Sequence, residues 1–183
     1  ATLQDAVAHA DHPGCPPGLA NALNYAVFPG GHRIRPRLSL AVAASCGEDA
    51  PALSTASAAA IELLHCASLV HDDLPCFDDA DIRRGKPTVH REFGEQIAVL
   101  TGDALIVMAF ELIARHSASH PERLGSLIGL VGSSVGVPRG IVAGQAWESE
   151  ENLNLANYHE EKTGALFAAA TMAGAQACGY NGA

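Results

Sequence analysis

The sequence predicts an all-α protein, and three observations support this fold class. Hydrophobic residues make up 48% of the chain but aromatic residues only 5%, and alanine, the strongest helix former, is abundant. Few windows alternate polar and apolar residues with the period of two that indicates a half-buried strand. Several windows repeat apolar residues at helical spacing instead. We therefore expect packed helices and no substantial sheet.

The N-terminal quarter of the chain contains signals for two helices. Several prolines before residue 18 predict a loop or a frayed start. A helix is expected from about Gly18 to Val27, and the Pro-Gly-Gly sequence that follows should end it. A second helix is expected from near Pro36, because proline is tolerated in the first turn, to Gly47.

The third predicted helix leads into a cluster of acidic residues. Ser54 or Thr55 can cap its start, and apolar residues then follow along one face. The helix runs directly into the aspartates of residues 72–81, where Pro75 must interrupt the helical hydrogen-bond ladder. Residues 83–87 are predicted to form a connecting loop.

The rest of the chain is also predicted to be helical. A long helix should start near Val89 and carry apolar residues at helical spacing as far as Leu112. Pro121 opens another helix, which the glycines of residues 136–140 interrupt. Two more are expected, at about 142–147 and 158–179. Because no internal repeat or low-complexity linker divides the chain, we expect a single all-helical domain over residues 1–183.

Cysteine usage and hydropathy predict a soluble, cytoplasmic protein. The five cysteines form no CxxC pair and no zinc spacing, and their odd number and wide scatter indicate reduced thiols. No basic segment followed by an apolar one opens the chain, and no uncharged run approaches the length of a membrane span. We therefore expect no membrane span.

The distribution of charge indicates the kind of ligand. The net charge of −9 argues against a nucleic-acid surface. Seven of the eleven lysines and arginines fall in residues 33–37 and 83–91, and five of the nine aspartates fall in residues 72–81. An acidic protein that gathers its cations beside its densest carboxylate cluster is suited to bind anions together with a hard metal ion.

The strongest signal is the stretch HDDLPCFDDADIRRGKPTVH, residues 71–90. Magnesium takes oxygen ligands and is usually held by one or two carboxylates together with substrate phosphates. Asp72 and Asp78 would point apart on a regular helix, but a bulge at Pro75 can bring them to one face. Arg83 and Arg84 then lie close enough in sequence to hold phosphates. A solvated acidic loop would not explain a proline bulge followed by paired arginines.

These residues closely resemble the first aspartate-rich motif of the trans-isoprenyl diphosphate synthases, in the form found in bacterial farnesyl and geranylgeranyl diphosphate synthases. Three further stretches match the same family in the right order. PGGHRIRP at 29–36 resembles its GGKRxRP element, GQAWE at 144–148 resembles its GQxxD element, and KTGALF at 162–167 resembles its KTxxLF element. The resemblance spans nearly the whole chain and implies an isoprenoid-synthase-type helical bundle around a central cavity.

The resemblance implies a magnesium site and an allylic diphosphate site. Asp72 and Asp78 would bind Mg²⁺ and, with Arg83 and Lys162, would be the catalytic residues. Arg83 and Lys162 would hold the allylic diphosphate, and Thr163 would complete that site.

A second set of residues would bind isopentenyl diphosphate. The resemblance assigns this role to Arg35, His65 and Arg84. His32 replaces the lysine of the family's element and would act with them, although a neutral imidazole is a weaker phosphate anchor than an ammonium. Gln145 lies where the family has an active-site glutamine. From the residues alone, His65 on an apolar helix could equally be a core histidine.

Two departures from the family concern carboxylates. Glu148 stands where the GQxxD element has aspartate, which keeps the charge on a longer side chain. The family also has a second aspartate-rich motif downstream of the KT element, but no aspartate follows Asp103. We therefore expect that the chain lacks its C-terminal portion with that motif.

The implied activity is the magnesium-dependent condensation of an allylic diphosphate with isopentenyl diphosphate by a homodimer. In the resembling short-chain enzymes, an aromatic residue five positions before the first aspartate closes the product tunnel. Here Ala67 and Ser68 are both small, so a geranylgeranyl (C20) product is expected. The alternatives are a farnesyl (C15) synthase, a terpene cyclase, or a non-catalytic subunit that regulates a partner synthase.

Overall fold

The computed structural model describes residues 2–151 and 155–180 and confirms the all-α prediction, since 72% of these described residues are helical. Its helices are α1 (Thr2–Ala8), α2 (Pro17–Val27), α3 (Ile34–Ser45), α4 (Pro51–Asp72), α5 (Val89–Phe93), α6 (Glu95–His116), α7 (Pro121–Val135), α8 (Ile141–Trp147), α9 (Leu155–His159) and α10 (Ala165–Ala177). A 3₁₀ turn follows α1 at His9–Asp11, and a π-helix joins α9 to α10 at Glu160–Gly164. The strands β1 (Ile82–Arg83) and β2 (Lys86–Pro87) form one antiparallel pair.

The chain divides into two compact units. The first unit consists of Ala1–Arg33 and Glu62–Ala109, and the second consists of Ile34–Ile61 and Phe110–Ala183.

The first unit has an apolar core beside the aspartate cluster. Buried alanine and aliphatic side chains from α2, α4, α5 and α6 form it, with Tyr25 and Phe93 packed at its edge in an edge-to-face ring contact. The core contains Ala22, Val70, Leu74, Val89 and Ala98. Leu74 therefore fixes the chain to the core immediately after α4 ends, and the acidic loop starts from a rigid base.

The second unit is built around α10, which packs against α3 and α7. Arg123, near the start of α7, donates hydrogen bonds to both carboxylate oxygens of Asp49 and to the carbonyl of Ala177 at the end of α10. One guanidinium thus satisfies a helix C-terminus, where carbonyls lack intrahelical partners, and ties it to the residues just before α4.

Several sequence-based boundaries are corrected by the structure. The proline-containing start is not simply a loop, because residues 2–8 form a helix with Val7 fully buried. The third helix begins at Pro51 rather than at a Ser54 or Thr55 cap; the Thr55 hydroxyl donates back to the Pro51 carbonyl instead. Residues 83–87 belong to a β-hairpin and not to an irregular loop.

Two predicted long helices are also interrupted. Gly94, with φ of 86°, separates α5 from α6. The predicted helix at 158–179 is divided by the π-helix.

Two helices are long and apolar enough to cross a membrane by length and composition. In α4, 78% of the apolar window is buried inside the protein, and in α6 39% is. The core helices of soluble proteins meet the same criteria, so this finding is weak evidence for a span, and the expectation of no membrane span stays a prediction.

Candidate active site

The first aspartate-rich segment lies in the first unit, where α4 ends at Asp72. The chain then turns tightly, and the Asp78 N–H donates to the Asp72 carbonyl over 2.9 Å. This turn places a carboxylate oxygen of Asp72 and one of Asp78 within 4.8 Å of each other. Two adjacent carboxylates with oxygen-only donors fit the preferences of magnesium. Their binding of a metal ion stays a prediction.

Arg83 is held by Asp73, a residue to which the sequence assigned no role. The Arg83 Nε atom lies 2.8 Å from both Asp73 carboxylate oxygens, and its Nη2 atom lies 2.6 Å from one of them. Asp73 is buried, while Asp72 lies 3.8 Å from the same guanidinium. The hydrogen bonds that Arg83 donates to Asp73 raise the pKa of Arg83 above its usual value. Arg83 is therefore a fixed cation at the edge of the aspartate pair.

Arg84 follows at the tip of the hairpin. The register pairs Ile82 with Pro87 and Arg83 with Lys86, so Arg84 and Gly85 form a two-residue turn. Both turn residues have positive φ, 55° and 78°, which is the pattern of a type I′ hairpin turn. The turn exposes Arg84 next to Arg83, and the binding of phosphates by the two arginines stays a prediction.

Lys86 anchors the hairpin to the end of α2. Its ammonium donates to the carbonyls of Tyr25 and Phe28 and lies 3.7 Å from the centre of the Tyr25 ring. The Tyr25 hydroxyl in turn donates to the Pro87 carbonyl over 2.8 Å. Burial lowers the pKa of Lys86. Lys86 therefore acts as a helix-terminus cap, which also fixes where the two arginines lie.

A cavity of about 90 Å³ opens in the first unit beside these residues. One side is apolar and includes Tyr25, Leu69 and Val70; the other carries charged side chains. The charged lining residues are Asp73, Arg83, Arg84 and Lys86. The cavity thus joins an apolar wall to the arginine pair.

The loop that carries His32 is fixed by its neighbour Arg33. Arg33 donates to the carboxylate of Glu62, which is buried in α4, and to the Val27 carbonyl. The Arg33 backbone has φ of 52°, an uncommon conformation for a residue other than glycine. His32 is exposed. The first arginine of the HRIR sequence is therefore a structural residue, as its buried partner indicates.

Three further predicted residues lie on α4 in the first unit. His65 is half-buried and accepts a hydrogen bond at its carbonyl from the Ser68 hydroxyl over 2.9 Å. Ser68 precedes Asp72 by four residues and so shares its face of the helix. Ala67 is buried, with 1% of its surface exposed. Their roles in isopentenyl diphosphate binding and in product length stay predictions.

The second unit gathers Gln145, Lys162 and Glu148 into one network. The Glu148 carboxylate accepts hydrogen bonds from Lys162 over 2.7 Å, from Gln145 over 3.0 Å, and from the Tyr158 hydroxyl. Burial acts to raise the pKa of Glu148, but the hydrogen bonds from Lys162 and Tyr158 outweigh it and leave the pKa lowered. Glu148 thus remains a carboxylate and orients Lys162.

Tyr158 is a site residue that sequence reasoning missed. Its hydroxyl donates to Glu148, and its ring lies 5.5 Å from the Lys162 ammonium. Its position four residues before Lys162, one helical turn away, was the available signal. The hydrogen bond to Glu148 raises the pKa of Tyr158.

A π-helix shapes the segment that carries Lys162 and Thr163. Residues 160–164 form this turn, and π-turns inside helices are frequent at functional sites. Glu161 is buried and accepts from the Gly140 N–H over 2.6 Å, which joins the turn to the start of α8. Thr163 is exposed beside Lys162.

Gly144 allows α8 to approach this turn. A Cβ atom on Gly144 would lie 2.5 Å from the backbone nitrogen of Lys162 and 2.8 Å from its Cα. The glycine of the GQ element is therefore required by the close packing of two backbones, and it brings Gln145 next to Lys162.

Arg35 also lies in the second unit. Its guanidinium lies 4.3 Å from the centre of the Phe167 ring, and Phe167 is the last residue of the KTGALF stretch. A cation over an aromatic face is attracted by the ring quadrupole. Each unit therefore collects part of the predicted set: the aspartates, Arg83, Arg84, His32 and His65 in the first, and Arg35, Gln145, Lys162 and Thr163 in the second.

Comparison with known proteins agrees with these motifs. The family model of the polyprenyl synthetases matches residues 16–183. Geranylgeranyl diphosphate synthase of Cereibacter sphaeroides is 59% identical over 98% of this chain and 62% of its own length. The Rhodobacter capsulatus protein of the same name is 58% identical over 90% of this chain and 57% of its own length. The chain thus spans about three fifths of these relatives.

Solved structures show the same relationship. An FPP/GFPP synthase from Zymomonas mobilis, 34% identical, superimposes with a TM-score of 0.84 over 98% of this chain and 69% of its own. The order of the four elements, the helical fold and these matches lead to one conclusion: the chain belongs to the polyprenyl synthetase family.

Proposed function

We propose that the complete protein is a trans-prenyltransferase that condenses an allylic diphosphate with isopentenyl diphosphate to form geranylgeranyl diphosphate. The observation that carries the proposal is the adjacency of the Asp72 and Asp78 carboxylates, with the two hairpin arginines following five and six residues after Asp78. The relatives from Cereibacter sphaeroides and Rhodobacter capsulatus, which are named geranylgeranyl diphosphate synthases, support it.

The reaction requires little acid–base catalysis by the side chains of the protein. The allylic carbon–oxygen bond breaks, and its electron pair leaves with the diphosphate. The double bond of isopentenyl diphosphate attacks the resulting carbocation, and the new carbon–carbon bond is followed by loss of a proton to the released diphosphate. The protein contributes electrostatic stabilisation of the leaving group and exclusion of water.

Charged side chains hold the diphosphates in this proposal. Arg83, oriented by Asp73, and Lys162, oriented by Glu148, bind the allylic diphosphate together with Thr163. Arg84, His32, His65 and Arg35 bind the isopentenyl diphosphate, with Gln145 nearby. A guanidinium whose position is already fixed by a buried carboxylate loses less entropy when it binds a phosphate.

The proposed cofactor is Mg²⁺, held by Asp72 and Asp78. When bound, the ion supplies the positive charge that stabilises the diphosphate as it departs. The oxygen-only donor pair at the end of α4 is the observation that fits this ion and not zinc, which takes nitrogen and sulfur ligands more often.

The C20 product follows from the small side chains of α4. Ala67 and Ser68 leave no aromatic floor one turn before Asp72. Each further isoprene unit brings about five carbons into an apolar environment, worth on the order of 4 kcal/mol, so elongation should continue beyond fifteen carbons.

We also propose a soluble, cytoplasmic homodimer. In the first unit, α6 exposes Val99, Leu100 and Val107, of which Val107 is 65% exposed. An apolar stripe on one helix face is typical of a surface covered by a partner. Light scattering after gel filtration should give twice the mass of one chain in the absence of detergent. A monomer, or a protein that requires detergent, would contradict this part.

The function is tested with the complete protein, Mg²⁺, radiolabelled isopentenyl diphosphate and, as the allylic substrate, either farnesyl or geranyl diphosphate. We expect a C20 alcohol after dephosphorylation and chromatography, and no product when a chelator removes the metal ion. A C15 product from geranyl diphosphate without further elongation would identify a farnesyl synthase. Cyclised hydrocarbon formed without isopentenyl diphosphate would identify a cyclase, and stimulation of a partner synthase without turnover of its own would identify a regulatory subunit.

A further inference from the structure

The tip of the β-hairpin holds Arg84 in an uncommon backbone conformation. With φ of 55°, Arg84 lies in the left-handed region, where residues other than glycine, asparagine and aspartate are rare. Such conformations cost about 1–3 kcal/mol and persist where the surroundings enforce them, often at functional sites. A glycine or asparagine would satisfy the turn better, so the backbone conformation does not account for an arginine at this position.

The Arg84 guanidinium lies directly on the backbone of Gly31. A Cβ atom built on Gly31 would lie 2.8 Å from Nη2 and 2.9 Å from Cζ of Arg84. These separations are shorter than real Cβ contacts allow. The φ of Gly31 is outside the left-handed region, so alanine could adopt this backbone without strain. An alanine here would therefore displace the flexible end of the Arg84 side chain and leave the Gly31 backbone in place.

The neighbouring arginines of the first unit are held in a different way. Arg83 is paired with buried Asp73, and Arg33 with buried Glu62. For Arg84, no carboxylate of residues 2–151 or 155–180 lies within 4.0 Å. The hairpin turn and the backbone surface of Gly31 therefore orient the Arg84 guanidinium, and its positive charge can attract an incoming anion.

We propose that Gly31 is a positioning residue for the second substrate: it provides the flat backbone surface on which Arg84 rests to bind the diphosphate of isopentenyl diphosphate. This inference rests on the proposed function, because that function assigns Arg84 to isopentenyl diphosphate. It explains a glycine that the backbone conformation does not require. The adjacent allylic diphosphate should be unaffected, because Arg83 is fixed by Asp73 and not by Gly31.

The test is a double-mutant cycle of Gly31→Ala and Arg84→Ala in the complete protein. Calorimetry measures the Kd of isopentenyl diphosphate without the allylic substrate, and steady-state kinetics measures the KM of each substrate. We expect Gly31→Ala alone to weaken isopentenyl diphosphate binding by about tenfold or more and to leave the allylic KM within about twofold. In the Arg84→Ala background, Gly31→Ala should change the Kd by less than about twofold, because no guanidinium remains to be displaced.

Gly18→Ala is the matched control, since a Cβ atom on Gly18 would have no neighbour within 4 Å; it should leave both KM values unchanged. Circular dichroism verifies that each variant is folded. If Gly31→Ala alone does not fold, the double variant of Gly31→Ala with Arg84→Ala decides the matter. Restored folding of the double variant supports the steric contact, and continued failure to fold overturns the proposal. Additive effects of the two substitutions, or an equal rise of both KM values, also overturn it.

The proposed function is tested separately, by assays of the wild-type protein. If the wild-type protein forms product but the effects of Gly31→Ala and Arg84→Ala on the Kd are additive, the role of Gly31 is refuted and the proposed function stands. A wild-type protein that binds isopentenyl diphosphate but does not prenylate it would refute the proposed function. The double-mutant cycle, measured through the Kd of isopentenyl diphosphate, would still decide the role of Gly31.

Discussion

At the scale of single residues, adjacent aspartates have different partners. Successive residues at a helix end point about 100° apart, so Asp72 faces Asp78 while Asp73 turns inward to Arg83. We predict that Asp72 binds a metal ion together with Asp78, whereas Asp73 orients the Arg83 cation. A substitution at each position should therefore produce a different defect.

Asp72→Ala should abolish magnesium-dependent turnover in the complete protein and leave it folded, because the change removes a metal ligand and no packing group. Steady-state assays over a range of Mg²⁺ concentrations, with circular dichroism for folding, measure this. A fall in turnover of less than about tenfold, roughly 1.4 kcal/mol of transition-state stabilisation, would show that Asp72 is not a ligand.

Asp73→Asn is the companion variant. It should lower the melting temperature, because a half-buried guanidinium loses a charged partner worth about 1–3 kcal/mol, and raise the KM of the allylic substrate. The Mg²⁺ concentration for half-maximal activity should stay the same. A shift in that concentration comparable to the one from a change at Asp72 would mean that Asp73 binds the metal ion as well.

Arg84→Asn separates stability from binding at one residue. Asparagine adopts positive φ more readily than arginine, so the melting temperature should rise by about 2–4 °C. The KM of isopentenyl diphosphate should rise at the same time. Thermal unfolding and kinetics on one preparation measure both; a variant that is less stable than the wild type would show that the turn is not strained.

Ala67→Tyr tests the length of the product. A ring five positions before Asp72 should block elongation and shift the main product to fifteen carbons or fewer, and the same substitution at Ser68 provides a comparison on the next face of α4. Chromatography of dephosphorylated products measures the shift. An unchanged product from the Ala67 variant would mean that this side chain does not line the path of the growing chain.

At the scale of elements, the close contact of α8 with the π-helix fixes the predicted allylic site. Gly144→Ala would place a Cβ atom 2.5 Å from the Lys162 backbone, so α8 or the π-helix must shift. We expect a loss of stability of about 1–3 kcal/mol and a rise in the allylic KM larger than that of isopentenyl diphosphate. Gly129→Ala in α7, where a Cβ atom meets nothing within 4 Å, is the control. If Gly144→Ala and Gly129→Ala are equally stable, then α8 and the π-helix can move apart without destabilising the fold.

At the scale of the molecule, one ion pair in the second unit joins distant parts of the chain. The hydrogen bond from Arg123 holds the pKa of Asp49 at about 2, below its usual value of 3.8. Because the folded-state pKa is depressed, the pair stabilises the fold above pH 3.8, and this contribution is lost as the pH falls towards 2.

Arg123→Gln should therefore flatten the pH dependence of the melting temperature between pH 4 and pH 2 relative to the wild type. Calorimetric melting in that range measures the difference. The Arg115→Gln variant, which removes an exposed i,i+4 pair with Glu111 on α6, should leave the slope as it is in the wild type. Parallel slopes for wild type and Arg123→Gln would show that Asp49 does not lose this contribution on acidification.

The sequence by itself determined the all-α class and the family, because both depend on local patterns. Apolar periodicity and the four short elements can be recognised without knowing what packs against them. The turn that brings Asp72 near Asp78 was also predictable, since Pro75 removes a backbone donor and must interrupt the helix. Short elements without such signals, such as α1 and the two-residue strands, were not.

Only the tertiary structure decided which side chains orient the predicted site residues. Tyr158 and Glu148 lie ten positions apart in the chain, and Gly31 and Arg84 are separated by still more. Contacts at such separations depend on how helices and turns pack, and periodicity describes only the face on which a residue lies. The sequence therefore predicted which residues bind the diphosphates, whereas the partners that hold those residues in place became visible only when the backbones were brought together.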